Sequence, residues 1–303
     1  MLLHCTAARE APLESLLRRE LSMSSSLISR LKWQSALLVN GAPVHTNHPV
    51  RPGDEITVRI EETVEGFDPE PLALRVLYED EALIALDKPA GMLTHPSPSR
   101  NEGTLANGLL YHYLQTGQRC GIHPVSRLDR DTFGIVLFAK SAYIHEKFRC
   151  LHREGSIRKT YHACVFGAPE PPSGTIELPV FKLGGGSLLR TVDPRGQSAL
   201  TEYRTLERWS HTALLALHPI TGRTHQLRLH CLASGFPILG DPQYATDASR
   251  AFSAQCGLAP QQLCAMELEF PHPLTNAPVC IASGQRVRCP EAPEGVFFDA
   301  TEG

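Results

Sequence analysis

Ser126-Arg127-Leu128-Asp129-Arg130-Asp131-Thr132-Phe133-Gly134 runs directly into Ile135-Val136-Leu137-Phe138-Ala139. Two arginines, two aspartates and a glycine, then an apolar run, read as a charged loop feeding a buried strand. Such a loop holds carboxylates at the edge of a sheet, where a rigid scaffold can present them. Asp129 lies between Arg127 and Arg130, cations that favour its ionised form. On the local sequence it is either half of a structural salt bridge or a poised catalytic group.

Outward from this run the pattern stays strand-rich. Arg158–Val165, Thr201–Trp209, Ala213–His218 and Leu263–Phe270 alternate like strands, and Leu74–Tyr78 and Ala82–Asp87 flank the turn Glu79-Asp80-Glu81. Thr104 caps a helix to Tyr113, Ser141 caps one carrying Ile144, Phe148 and Leu151, and Thr224–Ala233 reads as a helix stopped by Gly235. Many strands with few helices between them imply an α+β fold, a mixed, largely antiparallel sheet with flanking helices.

Residues 1–62 read as a separate small α/β module. Leucines at 13, 16, 17 and 21 make a helical stripe over Pro12–Leu21, and Ser26–Leu31 begins a second helix. Asn40-Gly41 and Val50–Glu55 are turn signals, the latter followed by the strand Ile56–Ile60. A Glu- and Pro-rich linker, 63–72, leads to the main domain, 73–289. An acidic tail, 290–303, carries Glu291, Glu294, Asp299 and Glu302.

Composition narrows the function classes. The chain has 303 residues, 42% of them hydrophobic, enough for a sizeable core. No apolar run approaches the roughly 20 residues of a membrane span, and the first residues lack the pattern of a secretory signal. Nine scattered cysteines without a CxxC pair fit reduced thiols in the cytoplasm better than zinc or disulfides. Net charge is −3, yet between His123 and His162 eight basic residues face four acidic ones. That local surplus is either a solvated face or a footprint for a polyanion.

Four segments, in order, resemble RNA pseudouridine synthases of the large-subunit ribosomal pseudouridine synthase A (RluA) family. They are Asp87-Lys88-Pro89-Ala90-Gly91 with His95-Pro96, the Asp129 run, Lys159-Thr160-Tyr161-His162-Ala163, and Thr221-Gly222-Arg223-Thr224-His225-Gln226-Leu227-Arg228 continuing to Gly240-Asp241. A late Phe270-Pro271-His272-Pro273 is a weaker fifth match. The N-terminal module resembles the S-four-like RNA-binding domain. Its cations, Arg9, Arg18, Arg19, Arg30, Lys32, Arg51 and Arg59, are offset by Glu10, Glu14, Glu20, Asp54 and Glu55. RNA contact and a merely stabilising role both stay open for it.

The resemblance implies isomerisation of uridine to pseudouridine in structured rRNA or tRNA. Asp129 would be the catalytic carboxylate, Tyr161 the ring stacking on the target base and Arg228 the partner of Asp129. Arg127, Arg130, Lys159, Arg223, His225 and Gln226 would contact RNA. Arg223, in the first turn of the 224–233 helix, is expected to meet phosphate with help from the helix dipole. The reaction needs no metal and no cofactor, and a monomer suffices. Asp129 could form a covalent ester at the sugar or remove its two-prime proton. A non-catalytic RNA-binding protein on the same scaffold is the rival, distinguished by whether Asp129, Tyr161 and Arg228 act together. A cysteine hydrolase lacks a nucleophile turn. Two positions depart from the family's HRLDRDTSG wording. Ser126 replaces the His, with an expected change in hydrogen bonding behind the loop, and Phe133 replaces the Ser, with an expected bulkier pocket wall.

Overall fold

The computed structural model of the chain describes residues 1–62, 66–97, 100–184 and 189–291. Most of the acidic tail and of the Gly184–Ser187 turn lies outside them. The main domain is built on a ten-stranded sheet. Its main path runs Ser173–Glu177, Leu200–Arg208, Thr212–Pro219, Arg158–Phe166, Leu263–Pro271, Phe133–Ala139, Leu83–Lys88, Val76–Glu79, with Pro278–Ala282 and His123–Pro124 pairing beside it. Every ladder along that path is antiparallel except one, between Phe133–Ala139 and Leu263–Pro271. The α+β expectation therefore holds, and the strands read from alternation lie within one or two residues of their observed limits.

That exceptional ladder is a seam. It pairs only Phe133 with Cys264 and Gly134 with Ala265. Ala265 also pairs with Tyr161, which in turn pairs with Leu217, so Gly134 and Tyr161 share one row across the sheet. The glycine is required there: its φ is +102°, and a Cβ would collide with the carbonyl oxygen of Ala265. The opening run thus ends at the point where two antiparallel halves join, and Asp129 stands just outside it.

All seven residues of Phe133–Ala139 are buried because the sheet is covered on both faces. Val136 and Phe138 pack with Leu105, Leu109 and Tyr113 of the helix Leu105–Gln115, which Thr104 caps. Ile135 and Leu137 point the other way, into a cluster with Ile144 and Phe148 of the helix Ala142–Arg153. Period-two alternation assigns the faces.

The same cluster continues without a break into Leu13, Leu17, Ile28 and Leu31 of the N-terminal module. This module has a four-stranded sheet and helices at Leu13–Arg19 and Ser25–Trp33. The last residue of the module is a clamp: Glu62, its side chain 5% exposed, accepts from Arg30 at 3.4 Å, from the backbone of Ala142 at 2.8 Å, and meets His123 at 3.1 Å. Burial alone would raise the Glu62 carboxyl, but these partners hold it below its ordinary value. The module is packed on the main domain rather than tethered to it. The strand Leu2–Thr6, the edge strands Ser173–Glu177 and Pro278–Ala282, and the helix Asp247–Gln255 were not legible as periodic segments.

Candidate active site

The loop bearing Asp129 is held from several sides. Lys88, with no exposed surface, donates its Nζ to the carbonyls of Arg130 (2.8 Å), Met92 (2.7 Å) and Pro89 (3.0 Å). The Gly91 N–H donates to the same Arg130 carbonyl at 2.9 Å. Thr94 Oγ1 bonds both backbone groups of Leu128 at 3.3 Å, and Gln261 donates to Thr132 at 2.6 Å. The Asp87–Gly91 segment therefore acts as a cradle for the loop. Desolvation pushes the Lys88 ammonium down to about 8, offset in part by Asp131 and Asp129.

Arg228 organises the charges. Its helix, Gln226–Ala233, begins two residues later than expected because His225 adopts a left-handed conformation, φ 59°. The guanidinium forks onto Asp241, Nε to Oδ2 at 2.7 Å and Nη2 to Oδ1 at 2.8 Å, which leaves Nη1 to donate to Asp129 Oδ2 at 3.0 Å. The Arg228 and Asp241 side chains are 5% and 0% exposed, so the pair is a desolvated frame. Burial works against both charges, yet mutual hydrogen bonding wins: the guanidinium is pushed up and the Asp241 carboxyl down. Tyr244 lies beneath, its ring centroid 4.9 Å from the Arg228 guanidinium carbon. Asp129 itself is held by one oxygen only. Its Oδ1 has no hydrogen-bond partner among the described residues, and its side chain is 26% exposed.

Tyr161 and His225 stand beside this carboxylate. Burial first, and the Asp129 charge second, push the Tyr161 phenol well above its ordinary value, so the ring is neutral. Burial likewise lowers His225, keeping it neutral near pH 7 despite Asp129. The Tyr244 hydroxyl already accepts the Arg190 backbone N–H at 2.8 Å. It also lies 2.9 Å from His225 Nδ1, and the Nε2 of that ring is 3.9 Å from Asp129 Oδ2. Asp129, Tyr161, His225 and Arg228 line a cavity of about 260 Å³ with Ser126, Arg127, Lys159 and Arg223.

The structure brings Asp129, Tyr161 and Arg228 together and redistributes the rest. Arg130 turns away from Asp129 and forks onto Asp131 at 3.1 Å. Arg223 precedes the helix rather than occupying its first turn, and its Nε donates to the Ser198 carbonyl at 3.1 Å. Gln226 is buried and saturated: it accepts from Thr221 and the Arg223 N–H and donates to Leu200 and Thr201, so its amide ties the loop together. Phe133 packs behind the sheet with Cys264 and Met266, not in the cavity wall, whereas Ser126 does line the cavity rather than back the loop. His230 is buried between Thr201 and the Leu178 carbonyl, both at 2.9 Å. Asp241 and Tyr244 were missed; the Gly240-Asp241 ending was quoted above without a role for its carboxylate.

A family model described as RNA pseudouridylate synthase matches residues 82–233. The uncharacterized RNA pseudouridine synthase YjbO of Bacillus subtilis is 34% identical over 260 residues, covering 85% of this chain and 89% of that protein. The chain belongs to the RNA pseudouridine synthase family. Another relative, ribosomal large subunit pseudouridine synthase D of Pseudomonas aeruginosa, is 34% identical over 250 residues, covering 79% of this chain and 77% of its own. The solved human RNA pseudouridylate synthase domain containing 4 shares the fold at a TM-score of 0.56 and 23% identity, over 70% of this chain and 88% of that one. This synthase is accordingly an isomerase of uridine in RNA. Residues 82–233 contain Asp129, Tyr161 and Arg228 but stop short of Asp241 and Tyr244, the residues that fix Arg228.

Proposed function

We propose that this synthase converts specific uridines of ribosomal or transfer RNA to pseudouridine, with Asp129 acting at the sugar of a uridine swung out of its stack. The observation that carries this reading is the carboxylate's geometry. One Asp129 oxygen is fixed by Arg228 while the other has no partner among the described residues, at a cavity large enough to admit a base. In the reaction the bond from C1′ to N1 breaks, the uracil turns, a bond from C1′ to C5 forms, and C5 loses the proton that N1 regains. Atoms and electrons balance without a redox partner. Asp129 serves either as nucleophile at C1′ or as base at C2′, and one free oxygen suits both.

The neutral Tyr161 ring supplies a stacking face for the detached base, and its raised phenol argues against a resident phenolate base. Arg228 prevents Asp129 from swinging away, and His225, held neutral, adds an N–H without a second positive charge. Arg127, exposed on the cavity rim, is placed to fill the vacated stack or to meet a phosphate. The N-terminal module, an S-four-like domain in this reading, adds RNA contacts through Arg30, Lys32 and the 84%-exposed Trp33. The synthase works as a monomer in the cytoplasm.

The test is incubation of the protein with total RNA from a strain lacking it, followed by pseudouridine mapping. A new site with wild-type protein, absent with Asp129→Asn, supports the reading; no new site sinks it. Deleting residues 1–62 would strip a shared core, so the module is tested by Lys32→Glu with Trp33→Ala in the full chain. Unchanged RNA affinity would make the module a stabilising element only.

A further inference from the structure

The cavity does not end at the catalytic corner. Its far wall is one face of the helix Ala142–Arg153, presenting His145, Arg149 and His152 at i, i+4 and i+7. Between this face and Tyr161 stands Lys159. It lies two residues before Tyr161 on the same strand, about 7 Å away, and lines the same cavity. Lys159 is half-buried, and no carboxylate among the described residues comes within ion-pair distance of it. Its neighbours do not neutralise it. Burial lowers both His145 and His152, the latter helped by the Lys159 charge, so the helix face offers neutral imidazoles. Arg149 on that face is already paired with Glu146 at 3.0 Å. At the catalytic end Arg228 is satisfied by Asp241 and Asp129. Burial also lowers the Lys159 ammonium, a cost that a bound anion would offset.

We propose that this second compartment receives the backbone phosphate joining the target uridine to its neighbour, with Lys159 as the positioning cation and the His145–His152 face as its wall. The proposal rests on the reading of Asp129 and Tyr161 as the place of the flipped uridine. A phosphate held by Lys159 fixes how far the flipped nucleotide enters, so that its sugar stops beside Asp129. The compartment thus measures the strand next to the target without reading the neighbouring base.

The test uses the full chain carrying Asp129→Asn, which binds without turnover, and the pentanucleotide AAUAA. Two versions carry a single neutral methylphosphonate linkage, on the five-prime or the three-prime side of the uridine. One of the two should weaken binding about tenfold, the scale of one charge-assisted contact. Adding Lys159→Gln should erase that difference, whereas Lys159→Arg should keep it. If neither linkage matters, or the loss persists in Lys159→Gln, the compartment does not hold a phosphate. Pseudouridine mapping with unmutated protein is a separate readout. Turnover there with no linkage effect here overturns this inference alone, and a linkage effect without turnover overturns the enzymatic reading alone.

Discussion

The catalytic corner and the N-terminal module place their charges in opposite ways. At the corner, Arg228 and Asp241 are nearly or fully buried and satisfy each other through a two-bond fork. In the module, Arg18 pairs with Glu14 and Arg9 approaches Glu20 with side chains a third to a half exposed. A buried pair is costly to break and fixes direction; an exposed pair is screened and fixes little. Geometry is therefore concentrated where one carboxylate oxygen must be aimed, and the module's exposed pairs fix no comparable direction. Glu62 is intermediate, a buried carboxylate joining the module to the start of the helix Ala142–Arg153.

The largest expected effect tests the corner's chemistry. Asp129→Asn should cost about a thousandfold or more in turnover while RNA affinity stays within about twofold. Single-turnover assays and filter binding would check it, and near-normal turnover would remove Asp129 from its role. Next is Asp241→Ala, which strands a buried guanidinium. It should cost about 3–5 kcal/mol in urea unfolding and lower turnover as well, because Arg228 loses its aim. Asp241 also sets a pH dependence. Its folded carboxyl is held below the unfolded value, so the stabilisation is complete above about pH 4 and is lost as pH falls further. The variant should lack this acid loss.

Smaller effects follow at the seam and the boundary. Gly134→Ala forces a side chain onto Ala265 at a positive φ and should destabilise by about 1–3 kcal/mol from the backbone alone, read as a lowered urea midpoint. An unchanged midpoint would mean the seam is pliable. Glu62→Gln should loosen the module, and its deficit should shrink below about pH 4, since the wild-type carboxyl is lowered and protonates there. A deficit constant with pH would exclude its charge as the cause. Arg18→Ala, in contrast, should change stability by less than about 0.5 kcal/mol. A loss comparable with that of Asp241→Ala would dissolve the contrast between the two regions.

Much of the fold was legible because it is periodic. The two-residue alternation of Arg158–Phe166 and Thr212–Pro219, and the Thr104 and Ser141 caps, are local signals that tertiary packing did not overrule. Short edge strands such as Ser173–Glu177 carry too little of such a signal, Ile176 being the one buried residue of the five. The site was legible in its motif residues, less so in their duties. Gln226 and Arg130 were read alike as RNA contacts because the sequence does not say which polar side chains already have partners. Only three-dimensional pairing showed Gln226 tied to Thr221 and Leu200, and Arg130 to Asp131.

The sequence by itself determined the seam-forming run and its strand, which are written in local residue order, while Asp129, Tyr161 and Arg228 were picked out by resemblance to the family. Tertiary structure decided which charges meet. Asp129 is flanked by Arg127 and Arg130 in the chain, yet its partner is Arg228, 99 residues away, and the frame that aims Arg228 is Asp241. Charge pairing acts over a few ångströms of space, not along the chain, so side-chain direction at a sheet seam settles it.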